Sequence, residues 1–133
     1  MISSRLSRLS AFVLLLGGLV LLFASDAVLP ALVPGFPPAA AWLGQLLAAA
    51  WLGMAALNWL QRSALLGGIY GRATVSANVT VYVISALSLL RALLGQDAPL
   101  ALWAALVPLA ALAATYTALM MRGPFDPLQP HAG

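Results

Sequence analysis

Eight residues set within or beside long apolar runs carry most of this chain's polar chemistry: Asn58, Gln61, Tyr70, Arg72, Asn78, Tyr82, Thr115 and Tyr116. Amides, phenols and hydroxyls give and take hydrogen bonds without titrating near neutral pH. Such a set can tie helices together or hold a small polar or anionic ligand. It lacks the general base, metal or activated nucleophile that catalysis needs. Cysteine and glutamate are absent, and Asp26, Asp97 and Asp126 fall at the ends of apolar runs or in the tail. The single histidine, His131, would be alone as a metal ligand and reads as solvated tail. The expectation is a non-enzyme with no catalytic residue, cofactor or metal.

The elements that position these groups follow from composition. Hydrophobic residues make up 63% of the 133 and charged residues 7%, with a mean hydropathy of +1.01. Soluble domains carry charge on about a quarter of their residues, so this composition belongs to a bilayer. A span needs about 20 apolar residues. The apolar runs place four spans at about 9–25, 39–61, 73–94 and 98–121 in a single integral membrane domain, 1–133. The fold class is therefore all-α: a polytopic four-transmembrane-helix bundle. The first run also has the form of a signal peptide, with Arg5 and Arg8 before it and Ser25-Asp26-Ala27 as a small-x-small site, though a retained span is favoured. The proline-rich stretch 26–38 reads as an external loop that four prolines keep from forming a regular helix. Pro38 opens the second span, Gly123-Pro124 stops the fourth, and Pro108 should kink it.

All six basic residues are arginine, and five fall on one side of the spans: Arg5, Arg8, Arg62, Arg72 and Arg122. By the positive-inside rule both termini and the Gly-rich loop 62–72 are cytoplasmic, an N-in/C-in topology. Arg91 is the exception, with Asp97 close enough to pair with it. A net charge of +3 distributed in this way reads as topology, not as nucleic-acid binding. Arginine without lysine, together with abundant alanine and leucine, points to a GC-rich bacterial genome and hence to the bacterial cytoplasmic membrane.

The loop "LLGGIYGRATVSAN", 65–78, looks like a phosphate cradle but matches no such motif. Three residues separate Gly67 from Gly71 where a Walker A loop has four, and Arg72-Ala73 follows where Lys-Ser/Thr should. Its structural reading is a reversal at Gly67-Gly68, an interfacial Tyr70 and an Arg72 that anchors the next span. "GGIYGR" followed by "AN" and an apolar helix carrying Ser85, Ala86 and Leu89-Leu90 resembles a motif in uncharacterised small four-span bacterial membrane proteins. Those proteins often have proline where Ala73 stands and an aromatic pair where Val81-Tyr82 stands. The resemblance implies no activity. The four-span plan is also loosely similar to DoxX-like proteins.

On the third span Thr74, Asn78, Tyr82 and Ser85 fall within about 80° of one another, a polar face that should point into the bundle. Ser7, Ser10, Asn58, Gln61, Thr115 and Tyr116 lie at comparable depth. Small-residue stripes at Ala41, Gln45, Ala49 and Gly53 and at Ala110, Ala114 and Ala118 offer close helix approach. The function expected is an accessory or structural subunit packing beside another membrane protein or a second copy. The alternative is small-solute, lipid or anion binding at the polar cluster. Reporter fusions placed after Leu66 and after Leu128 should both give a cytoplasmic signal; an external signal at either point contradicts the topology.

Overall fold

A computed structural model describes residues 2–66, 68–69, 71–95 and 99–123. Four long helices run antiparallel in succession: α1 over Ile2–Leu32, α2 over Trp42–Leu60, α3 over Arg72–Gly95 and α4 over Leu100–Arg122. Each is long and apolar enough to cross a membrane. The outward faces carry Phe12, Leu16, Phe23, Leu60, Ile84, Leu94 and Val107, all exposed. In water that surface would form a continuous apolar patch around the whole molecule; in a bilayer it is the solvated face. The fold is that of a multi-pass membrane protein.

Three spans match their expected bounds to within about two residues, apart from the start of α2, where a 3-10 turn, Pro38–Ala40, precedes the helix. The first does not. α1 continues through Leu32, so the expected loop over 26–38 shrinks to a turn around Gly35, which takes a positive φ of 81°. The continuation depends on a backbone break at Ala24 (φ −130°, ψ 22°). Beyond it the Asp26 side chain accepts the Ala27 N–H at 3.1 Å, and Ser25 and Leu29 pack over Gly44 at the start of α2. Pro30 lies in this short segment, where it deprives only the Asp26 carbonyl of an intrahelical donor. α4 is a single helix with Pro108 inside it, closed by Gly123 at φ 86°, whose N–H bonds to the Leu119 carbonyl. Gly67, Tyr70, Asp97, Pro124, Asp126 and His131, and with Asp97 the expected partner of Arg91, lie outside the described residues.

Packing divides the bundle into two hairpins. α1 lies closest to α2 and α3 closest to α4, while α2 and α3 meet only narrowly. The first hairpin is tight because its seam is made of small residues. A Cβ on Gly18 would meet Leu52 at 2.9 Å and the Ala48 carbonyl at 3.4 Å, and the Trp51 ring covers Gly17. Buried positions on α1 (Ser3, Ser7, Ser10, Leu14, Gly18, Leu21, Ser25) recur every three or four residues, and Gly44, Ala48, Ala55 and Asn58 on α2 follow at steps of four, seven and three, which keeps them on one face. Between the hairpins sit larger groups: Leu14, Leu66, Val75, Tyr82, Leu109, Leu112, Tyr116 and Leu119. The two expected stripes are thereby corrected. Gln45, Ala49, Gly53, Ala110 and Ala114 are exposed, because Asn58 and Tyr116 must face inward and their helices rotate those alanine faces outward.

The glycine-rich loop joins the hairpins. Leu66 is fully buried in the core, and the chain then returns so closely that a Cβ on Gly71 would overlap the Leu65 carbonyl oxygen and approach the Leu66 Cα to 3.1 Å. Only glycine permits this approach, and it sets where α3 begins: the Val75 N–H bonds back to the Gly71 carbonyl at 3.0 Å. Gly71→Ala is expected to lower stability in detergent by about 1–3 kcal/mol, the scale of overpacking a close contact. Unchanged thermal unfolding would show that the loop is slack.

Candidate functional site

Each helix sends a polar side chain to one point in the arginine-bearing half of the bundle. Asn58 is in the last turn of α2, Asn78 and Tyr82 are in the first three turns of α3, Tyr116 is near the end of α4 and Ser10 is on α1. All five are fully buried. α2 and α3 are antiparallel and joined by the short loop, so the two asparagines reach the same depth. Their amides pair reciprocally: Asn58 Nδ2 donates to Asn78 Oδ1 at 2.9 Å, and Asn78 Nδ2 donates to Asn58 Oδ1 at 2.8 Å.

Every remaining capacity of the two amides is also filled. The second N–H of Asn58 goes to the Met54 carbonyl at 3.0 Å and that of Asn78 to the Thr74 carbonyl at 2.8 Å. Only an NH2 group can donate to those carbonyls, so they fix the orientation of each amide. Asn58 Oδ1 takes a second bond from the Tyr116 hydroxyl and Asn78 Oδ1 a second from Ser10 Oγ, both at 3.3 Å. The Ser10 proton is thus committed to Asn78. Its short contact with Tyr82 must then run from the phenol to Ser10 Oγ. The Tyr82 and Tyr116 rings stack at 5.7 Å between centroids, with 25° between their planes.

Of the eight residues singled out from the sequence, four form this network: Asn58, Asn78, Tyr82 and Tyr116. Thr115 bonds to the Ala111 carbonyl of its own helix at 2.8 Å and does not reach across. Gln61 is half-buried at the end of α2, where its backbone N–H closes the helix on the Leu57 carbonyl. Arg72 is exposed at the first residue of α3. Tyr70 lies outside the described residues. Ser10, which the sequence places at this depth together with Ser7 but outside the eight, is the fifth member; the distinguishing signal is its place on the Ser3, Ser7, Ser10, Leu14 seam. Ser7, one turn away, is fully buried, yet its Oγ has no hydrogen-bond partner among the described residues.

No matches were found in a scan against protein-family models or in searches of curated proteins and of solved structures. What the site can do must come from its geometry. The two amides keep no free donor or acceptor, the five members include no carboxylate, imidazole or amine, and none of them lines the cleft beside Arg72 and Arg122 or the one beside Phe12 and Trp59.

The two serines separate network from packing. Ser10→Ala leaves the Tyr82 phenol and one lone pair of Asn78 unmatched, and should cost on the order of 1 kcal/mol. Ser7→Ala removes a hydroxyl that bonds nothing among the described residues and should be neutral or slightly stabilising. Equal effects in thermal unfolding in detergent would contradict this assignment.

Proposed function

We propose that this chain is an accessory or structural subunit of a complex in the bacterial cytoplasmic membrane, with both termini in the cytoplasm. The observation that carries the reading is the closure of the polar network. Groups that could have held a solute instead hold one another, so the interior serves to fix a single arrangement of helices. The surface then has to do the work. Gln45, Ala49 and Gly53 on α2 and Ala110 and Ala114 on α4 face outward as small-residue stripes, the kind of surface on which transmembrane helices approach closely. A Cβ at Gly53 would meet nothing within 4 Å. Such faces fit helices of a larger membrane protein or of a second copy.

The alternative, binding of an anion or small solute, has one observation in its favour. A cleft of about 570 Å³ opens between the start of α3 and the end of α4, with Arg72, Ser76 and Arg122 on its walls. A phosphate or carboxylate held there would depend on the planar guanidinium fork, whereas an interfacial anchor needs only a positive charge on a long stem.

Two measurements distinguish these readings. Extraction of native membranes into lipid nanodiscs should co-purify a membrane protein at fixed stoichiometry, or a second copy, and Ala114→Leu or Gly53→Leu should release it while the bundle stays folded. Recovery of an isolated single chain from native membranes would contradict the subunit reading. Arg72→Lys should leave insertion, stability and partner unchanged; loss of a co-purifying anion in that variant would move the function to the cleft.

A further inference from the structure

A second cleft, on the opposite hairpin, has the shape and charge of a lipid site. It lies between α1 and α2, holds about 500 Å³ and is lined by Ala11, Phe12, Leu15, Leu52, Ala55, Ala56 and Trp59. Its form follows from residue size. Ala11 and Ala55 are small and buried, making a deep floor, while Phe12, Leu15 and Trp59 stand exposed as walls. The volume falls in the range of small-molecule sites, about 300–1,000 Å³. Its lining is apolar, and the charge stands beside it, next to Trp59. Arg62 donates from Nη1 to the Trp59 carbonyl at 2.7 Å, and its guanidinium lies over the Trp59 ring, 4.7 Å from the centroid. Across the hairpin, exposed Arg8 precedes Phe12 by one turn on the same face of α1. Because α1 and α2 are antiparallel, with Gly17 against Trp51 and Gly18 against Leu52, Arg8 and Arg62 fall at the same level of the hairpin. Among the described residues neither makes an ion pair.

We propose that this groove holds one acyl chain of an anionic phospholipid, with the lipid phosphate between Arg8 and Arg62. An apolar slot that runs from the middle of the span to a pair of cations at headgroup height complements an amphiphile with a negative head. A zwitterionic lipid fits the slot but not the cations, and a partner helix would leave the arginines unmatched. The stack on Trp59 holds Arg62 in place before binding, which lowers the ordering cost of the contact. The inference is independent of the subunit reading, since the groove lies in the arginine-bearing half and the α2 stripe nearer the other.

The test is native mass spectrometry of the delipidated full chain, offered phosphatidylglycerol and phosphatidylcholine with identical chains. The wild-type protein should retain one phosphatidylglycerol in preference to phosphatidylcholine, and excess inorganic phosphate should not displace it. Arg8→Gln and Arg62→Gln should each weaken phosphatidylglycerol about fivefold, the effect of about one interfacial charge, without changing phosphatidylcholine. Ala56→Trp, at an exposed position on the groove wall, should weaken both lipids by filling the slot. Equal retention of the two lipids, a preference that survives both arginine variants, displacement by phosphate alone, or a dimer in place of the lipid that Ala56→Trp abolishes would each overturn the proposal.

Discussion

A primary amide inside hydrocarbon has to find two acceptors and two donors, and no water is there to supply them. Asn58 and Asn78 meet that demand by facing each other, and much of the bundle's arrangement is what lets them do so. The short loop must return the chain within a few residues, so Leu66 is buried and Gly71 passes against the Leu65 carbonyl. The second lone pair on each amide must be met from a different helix, which brings Tyr116 in from α4 and Ser10 from α1. One contact between neighbouring helices thereby fixes all four.

This matters because lipid tails are as apolar as leucine and give little drive for one helix to choose another. Packing supplies attraction without much preference for rotation, particularly along helices as rich in alanine and leucine as α2 and α4. The polar network supplies the preference. Rotating α4 by a quarter turn would lead the Tyr116 hydroxyl away from Asn58 and strand it in hydrocarbon, and sliding α3 by one turn would separate the amides. The small-residue seam of α1 and α2 and the large aliphatic filling between the hairpins then follow as the two ways of closing space around that fixed point.

The parts of this that were legible in the sequence are those set by hydropathy and by depth. Three of four spans are bounded by strong local signals, prolines and arginines at their ends, and matched depth on either side of a short loop brings Asn58 and Asn78 to one level, though depth alone does not choose among Asn58, Thr115 and Tyr116 as the partner of Asn78. Two other parts were not. Local proline rules forbid a regular helix over 26–38, yet a break at Ala24 re-aims the chain and Pro30 then costs a single hydrogen bond. In alanine-rich helices every face looks small, so Ala49 and Ala114 were indistinguishable in pattern from Ala48 and Ala113; only the direction in which Asn58 and Tyr116 must point decides which of them is buried. Thr115 illustrates a third reason, since a threonine hydroxyl can be satisfied by its own helix and need not reach a neighbour.

The central claim is that the amide pair acts as one unit, and a double-mutant cycle in a bilayer mimetic measures that directly. Asn58→Leu and Asn78→Leu each strand the other amide, whereas the double variant strands neither. The account predicts that the double variant is less destabilised than the sum of the two singles, by a coupling on the order of 0.6–2 kcal/mol. Strict additivity of the two substitutions would show that the amides do not depend on each other and would contradict it.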